Sequence, residues 1–168
     1  MLPQAKSIYS YDRVSTLNKK EMIMTNTNDQ SAAPGAVEHL NPETLHHNPA
    51  FSQAVAVSGA VRTVYIGGQN AVDASGAIVG QGDIGAQTEQ VLQNLQAALA
   101  AGGASLEHVI KWNMYLLQGQ PLQPGFAVFQ RVWGRRPNPP AITMVSVAGL
   151  ANPDYLLEMD AIAVVPLG

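Results

Sequence analysis

Two carboxylates near the C-terminus are the residues of this chain best spaced to do chemistry. In Tyr155-Leu-Leu-Glu158-Met-Asp160-Ala-Ile-Ala-Val-Val165, the two-residue period of a strand puts Glu158 and Asp160 on one face. Leu156, Ile162 and Val164 share that face, so both acids stand in line with apolar neighbours. Burying a charge in such a line is costly without a partner or a catalytic purpose. Spacing alone leaves two readings open: an acid/base group, or a pair of acids at a sheet edge or subunit interface. Lys111 and Asn113, two apart on the strand-like run from Ile110, are polar partners that would also face one side.

Other chemistries lack their residues. With no cysteine there is no disulfide framework, thiolate metal site or thiol nucleophile. The adjacent His46 and His47 would point opposite ways on a strand, and His39 and His108 have no ligand-like spacing to them, so no metal is expected. Gly80-Gln-Gly82-Asp-Ile-Gly85 satisfies G-x-G-x-x-G where a helix would cradle a pyrophosphate. Against this, the Asp83 carboxylate would occupy the phosphate position, and the preceding Ala77-Ile-Val79 is too short for a central parallel strand. The motif reads as a glycine-rich loop with an acidic helix cap, and no cofactor is expected. No serine sits in a nucleophile-elbow pattern either.

The elements that must position the acids follow from periodicity. Short strands are expected over residues 51–57, 63–66 and 77–79, separated by Ser58-Gly59-Ala60 and Asp73-Ala-Ser-Gly76. Order is expected to begin near Phe51. The clearest helix follows Asp83, with Ile84, Val91, Leu92, Leu95 and Leu99 at helical spacing and Gly102-Gly103 as its stop. A strand over residues 110–117, a second helix over 123–133, and strands over 141–147 and 155–165 complete the order βββ-α-β-α-β-β. That order suggests one sheet with both helices on one face.

Length and composition bound the rest. The 168 residues suit one domain, and 46% hydrophobic against 12% charged residues permits a sizeable core and suggests surface hidden in an oligomer. Residues 1–36 read as a flexible N-terminal extension, with Met24 as a natural start, ahead of a domain over 37–168. From Val37 onward five basic residues face nine acidic ones, a net of −4. A nucleic acid partner is therefore not expected, since phosphate binding needs a basic patch. No membrane span or signal-peptide hydrophobic region is seen. A cytoplasmic protein is the expectation.

Between Asn48 and Pro166 the sequence resembles the Rid (reactive intermediate deaminase, YjgF-type) family. Phe51-Ser-Gln-Ala-Val55 is similar to its Y-S-Q-A-V opening and Ile66-Gly67-Gly68-Gln69 to its S-G-Q segment. Gln87-Thr88 through Asn94-Leu95 resembles its Q-T-x-Q-x-L-x-N-L helix, and Ala101-Gly-Gly-Ala-Ser105-Leu106 the A-G-A-S-L after it. Lys111 to Leu116 is similar to its K-T-T-V-Y-L strand, and Leu157-Glu158-Met-Asp160-Ala-Ile-Ala-Val164 to its closing I-E-I-E-A-I-A-V. The resemblance implies a chorismate-mutase-like α/β fold, a single mixed sheet with two helices packed on one face. It also implies a homotrimer with three clefts between subunits, and metal-free hydrolysis of reactive enamines and imines to keto acids and ammonia.

By the same resemblance Glu158 falls at the water-positioning Glu, and Gly67 and Gly68 at the segment whose amides line the pocket. Phe51 stands where the family has Tyr, and Phe126 where its second helix has Asn. Ile142, in Pro140-Ala-Ile142-Thr143, replaces the Arg that clamps the substrate carboxylate, and isoleucine has no guanidinium fork to do so. Arg131, Arg135 and Arg136 are the cations near enough in sequence to compensate, though a solvated surface suits them better. The expected function is hydrolysis or deamination of a small neutral or aromatic-leaning substrate, with Glu158 as general base and Phe51, Gly67, Gly68, Asn113, Phe126 and Ile142 around it. The alternative is a non-catalytic trimer that binds a small molecule.

Overall fold

The computed structural model describes residues 33–168, so Met24 and all but the last four residues of the extension expected over 1–36 lie outside the described residues. The frame is a four-stranded mixed sheet in the order β3-β6-β4-β5: β3 Val61–Gln69, β4 Val109–Leu117, β5 Ala141–Val147 and β6 Leu157–Pro166. β6 runs antiparallel to both neighbours, and β4 and β5 are parallel. Two helices, α1 Ile84–Ala101 and α2 Leu122–Trp133, cover one face.

α1 forms where the apolar stripe predicts it. The Asp83 carboxylate caps its start, accepting from the amides of Gly85 at 2.9 Å and Ala86 at 3.1 Å, and Gly102 ends it. Val91, Leu92, Leu95 and Leu99 are completely buried against the sheet. Trp112 of β4 meets Phe129 and Trp133 of α2 edge-on, with ring centroids 5.0 and 5.5 Å apart, which docks the second helix on the same face.

Three expectations need correction. Residues 77–79 make no strand: only an isolated bridge, Val72 to Ile78, forms there. The Asp73 carboxylate accepts from the amides of Ser75 and Ala77 at 2.8 and 3.0 Å and from the Ser75 hydroxyl at 2.7 Å, so a side-chain-capped turn outcompetes extended chain. Those same bonds, led by the Ser75 hydroxyl, hold Asp73 below the ordinary carboxylate value. Order also does not wait for Phe51. β1 Ala36–Leu40 pairs antiparallel with β2 Ala54–Ser58 in a separate ribbon, and the Gly35 amide donates to the Leu167 carbonyl at 3.0 Å. Finally, residues 51–53 stay outside β2 because their polar groups are committed elsewhere. The Ser52 amide donates to the Pro140 carbonyl at 3.0 Å, and the Gln53 amide to Asn41 Oδ1 at 3.0 Å.

Candidate functional site

β6 separates two kinds of surface. Leu157, Met159, Ala161 and Ala163 point to the helices and are buried; Glu158 and Asp160 lie on the opposite face, half-buried. The expected sharing of a face by the two acids is what the strand does.

Glu158 is held from two sides. β3 loses register between Ile66 and Gln69, and this irregularity brings Gly68 so close that a Cβ there would lie 2.0 Å from Glu158 Oε1. Asn70 Nδ2 donates to Oε2 at 3.1 Å. The loop carrying Asn70 is itself pinned by α1: Asn94 Nδ2 donates to the carbonyls of Asn70 at 2.9 Å and Val72 at 2.8 Å, while Gln90 Nε2 donates to Asn94 Oδ1 at 2.8 Å. A second α1 side chain sets where β6 begins. Buried Gln87 accepts from the Leu156 amide through Oε1 and donates through Nε2 to the Asp154 carbonyl, both at 2.8 Å. Both of its polar ends are satisfied, which makes its burial tolerable.

Asp160 belongs to a neighbouring cluster. Asn113, its cross-strand partner, donates to Oδ1 at 2.8 Å. The hydroxyl of Tyr115 also bonds Asp160, and that bond together with the carboxylate charge raises Tyr115 above its ordinary value of 10.0. Lys111, the other expected partner, instead donates to Thr143 Oγ1 at 2.5 Å.

On the helix side of the sheet lies a cavity of about 500 Å³ whose walls include Phe51, Phe126, Phe129, Ile142 and Met144. Phe51 is held beside the start of β5 by its neighbour. Ser52, 2% exposed, donates from its hydroxyl to the Pro139 carbonyl at 2.5 Å and pairs with His39 Nδ1 at 2.9 Å. None of the cavity's lining side chains is a cation or a carboxylate.

The structure therefore sorts the sequence-derived residues into two groups. Phe51, Phe126 and Ile142 meet in the cavity. Glu158 and Gly68 meet on the other face, where Asn113 instead joins the neighbouring Asp160, and Gly67 is open, since a Cβ on it would touch nothing within 4 Å. Asn70, Asn94 and Tyr115 were missed. Tyr115 was within reach of sequence reasoning, being two residues beyond Asn113 on the same strand face. Arg131 pairs with Glu89, and Arg136 donates to the Val132 carbonyl at 2.9 Å beside the Trp133 ring. Among the described residues no three His, Asp or Glu side chains gather as metal ligands.

Fold and site define a chorismate-mutase-like α/β domain with a carboxylate clamped on one sheet face and an apolar cavity on the other. The chain belongs to the family described as Endoribonuclease L-PSP, which matches residues 43–165 and takes in the Rid and RutC proteins. It is 37% identical over 116 residues to Protein DfrA of Myxococcus xanthus, covering 68% of this chain and 84% of that one. Among solved structures it is similar to the Rid family protein YyfB from Yersinia pestis, at TM-score 0.69 and 33% identity, over 77% of this chain and 98% of that one. It also resembles E. coli TdcF with bound serine, at TM-score 0.56 and 28% identity, over 61% and 80%.

Proposed function

We propose that the chain is a metal-independent hydrolase of reactive imines or enamines, acting in a cleft between two copies of itself. The observation that carries this reading is the Glu158 carboxylate, held by Asn70 Nδ2 at 3.1 Å and packed on the Cα of Gly68. A carboxylate fixed in this way is suited to take a proton from water. The water oxygen bonds to the imine carbon, and its proton passes through Glu158 to the nitrogen. The hydroxyl proton of this carbinolamine then follows to the nitrogen while the O–H electron pair forms the C=O bond and the C–N bond breaks, leaving a carbonyl product and ammonia.

The two groups of site residues support a shared cleft. In one chain the sheet lies between Glu158 and Ile142, so the face of one copy must meet the cavity of another for a substrate to touch both. Apolar surface is available for such a meeting: Tyr65 is 77% exposed on the Glu158 face, and Met144 and Phe126 are 53% and 43% exposed at the cavity. Family resemblance supplies the number three. Nucleic acid as a substrate is disfavoured by the net charge of −4 from Val37 onward. No helix among the described residues is long and apolar enough to cross a membrane, and a cytoplasmic site of action is part of the proposal.

The test is complementation. Glu158→Gln and Phe126→Asp proteins, each inactive toward freshly generated imines, should regain part of the activity when co-assembled, because some clefts then receive both intact halves. No recovery in verified mixed trimers would sink the shared cleft. The second reading, a trimer that only binds a small molecule, is favoured by the serine bound to TdcF. It predicts tight binding, no turnover, and no rate for Glu158→Gln to change.

A further inference from the structure

We infer that the cavity beneath α2 receives an uncharged substrate bearing an aromatic or branched apolar group, and not the imine of an amino acid. The inference rests on the shared-cleft reading for its chemistry, while its binding consequence can be measured without turnover.

Size and lining set the class. About 500 Å³ is in the range of small-molecule sites, roughly 300–1,000 Å³. The rings of Phe51, Phe126 and Phe129 and the branched end of Ile142 line it together with aliphatic residues such as Met114 and Met144, and aromatic edges and faces favour another ring. The polar lining residues are Asn48, Thr88, Tyr115 and Gln123, all uncharged, and two of them have prior commitments. The Thr88 hydroxyl donates to the Ile84 carbonyl at 2.7 Å, and Asn48 Oδ1 accepts from the Ala50 amide at 2.9 Å. A carboxylate entering here would lose its water and meet no donor cation, which disfavours it strongly.

Among the described residues no Lys or Arg side chain lines the cavity. Arg62 donates to the Gly103 carbonyl at 3.1 Å, and Lys111 to Thr143. Arg131 pairs with Glu89, and Arg136 caps the last carbonyls of α2. Arg135, beyond the end of α2, is exposed and does not line the cavity. The position where a guanidinium would help most is Ile142, and there the chain has a hydrocarbon.

Acetophenone and pyruvate serve as probes, the first a neutral aromatic ketone and the second a carboxylate ketone, titrated calorimetrically into the intact full-length protein. Acetophenone should bind at least about tenfold tighter, and Phe126→Ala should weaken it by about tenfold, the scale of one aromatic contact. Ile142→Arg should invert the preference; if that protein does not fold, Phe126→Ala still decides. Equal binding, or tighter binding of pyruvate, by the native protein overturns the inference. Acetophenone binding without hydrolysis of its imine would defeat the hydrolase reading and leave the ligand class standing. Rapid hydrolysis of 2-iminopropionate by the native protein would defeat the ligand class and leave the hydrolase standing.

Discussion

Adjacent residues of β6 live in different worlds. Met159 is 1% exposed in the core beneath the helices, whereas Glu158 stands on the opposite face beside Asn70, Gly68 and cross-strand Tyr115. One strand thus anchors the fold with its odd residues and presents the two candidate-site acids with its even ones. The difference teaches that fold-holding and candidate-site side chains can stand one residue apart, because a strand turns successive side chains to opposite sides.

The sharpest way to break that comparison is at the pair itself. Glu158→Gln is expected to lower turnover of a neutral imine by about 10²- to 10⁴-fold, the usual contribution of a general base, with an almost unchanged melting temperature. A matching fall in stability would mean that the carboxylate is a structural group. Met159→Ala should do the reverse, costing about 2–5 kcal/mol in denaturant unfolding as a buried side chain is lost.

The two glycines of β3 sharpen the contrast further. Gly68→Ala should displace the Glu158 carboxylate and cut the rate on the order of tenfold. Gly67→Ala, whose new methyl meets nothing within 4 Å in its own chain, should leave stability as it was and lower the rate less than Gly68→Ala does. Equal effects at the two positions would show that the close approach to Glu158 has no functional weight.

The smallest effect is expected from Tyr115. Its folded value is raised by Asp160, so its neutral form is favoured in the folded state. That contribution is complete below the ordinary value of 10.0 and fades as pH rises through the raised one. Tyrosinate absorbance should therefore show one late-titrating phenol, absent in Tyr115→Phe. Early ionisation of all tyrosines would contradict the Asp160 bond.

Much of the frame was legible because its causes are local. The stripe from Ile84 to Leu99, its Asp83 cap and its glycine stop lie within one helix, and the alternation that pairs Glu158 with Asp160 lies within one strand. The strand expected at residues 77–79 failed for an equally local reason, the Asp73 turn, which the Asp-Ala-Ser-Gly string already contained. β1 was harder to see, since its strand character rests on pairing with β2 across the Phe51 loop.

What the sequence determined by itself was therefore the list of elements from α1 onward, the face of each acid, and the absence of a guanidinium at position 142. The tertiary structure decided who holds whom. Asn70 reaches Glu158 across 88 positions, and Gln87 reaches Leu156 across 69. Such bonds have no periodic signature, because their partners become neighbours only after the sheet and helices have packed. The same packing put Ile142 and Glu158 on opposite sides of one sheet. Strand alternation fixes sides only within a strand, and relating the sides of β5 and β6 requires knowing that β4 lies between them.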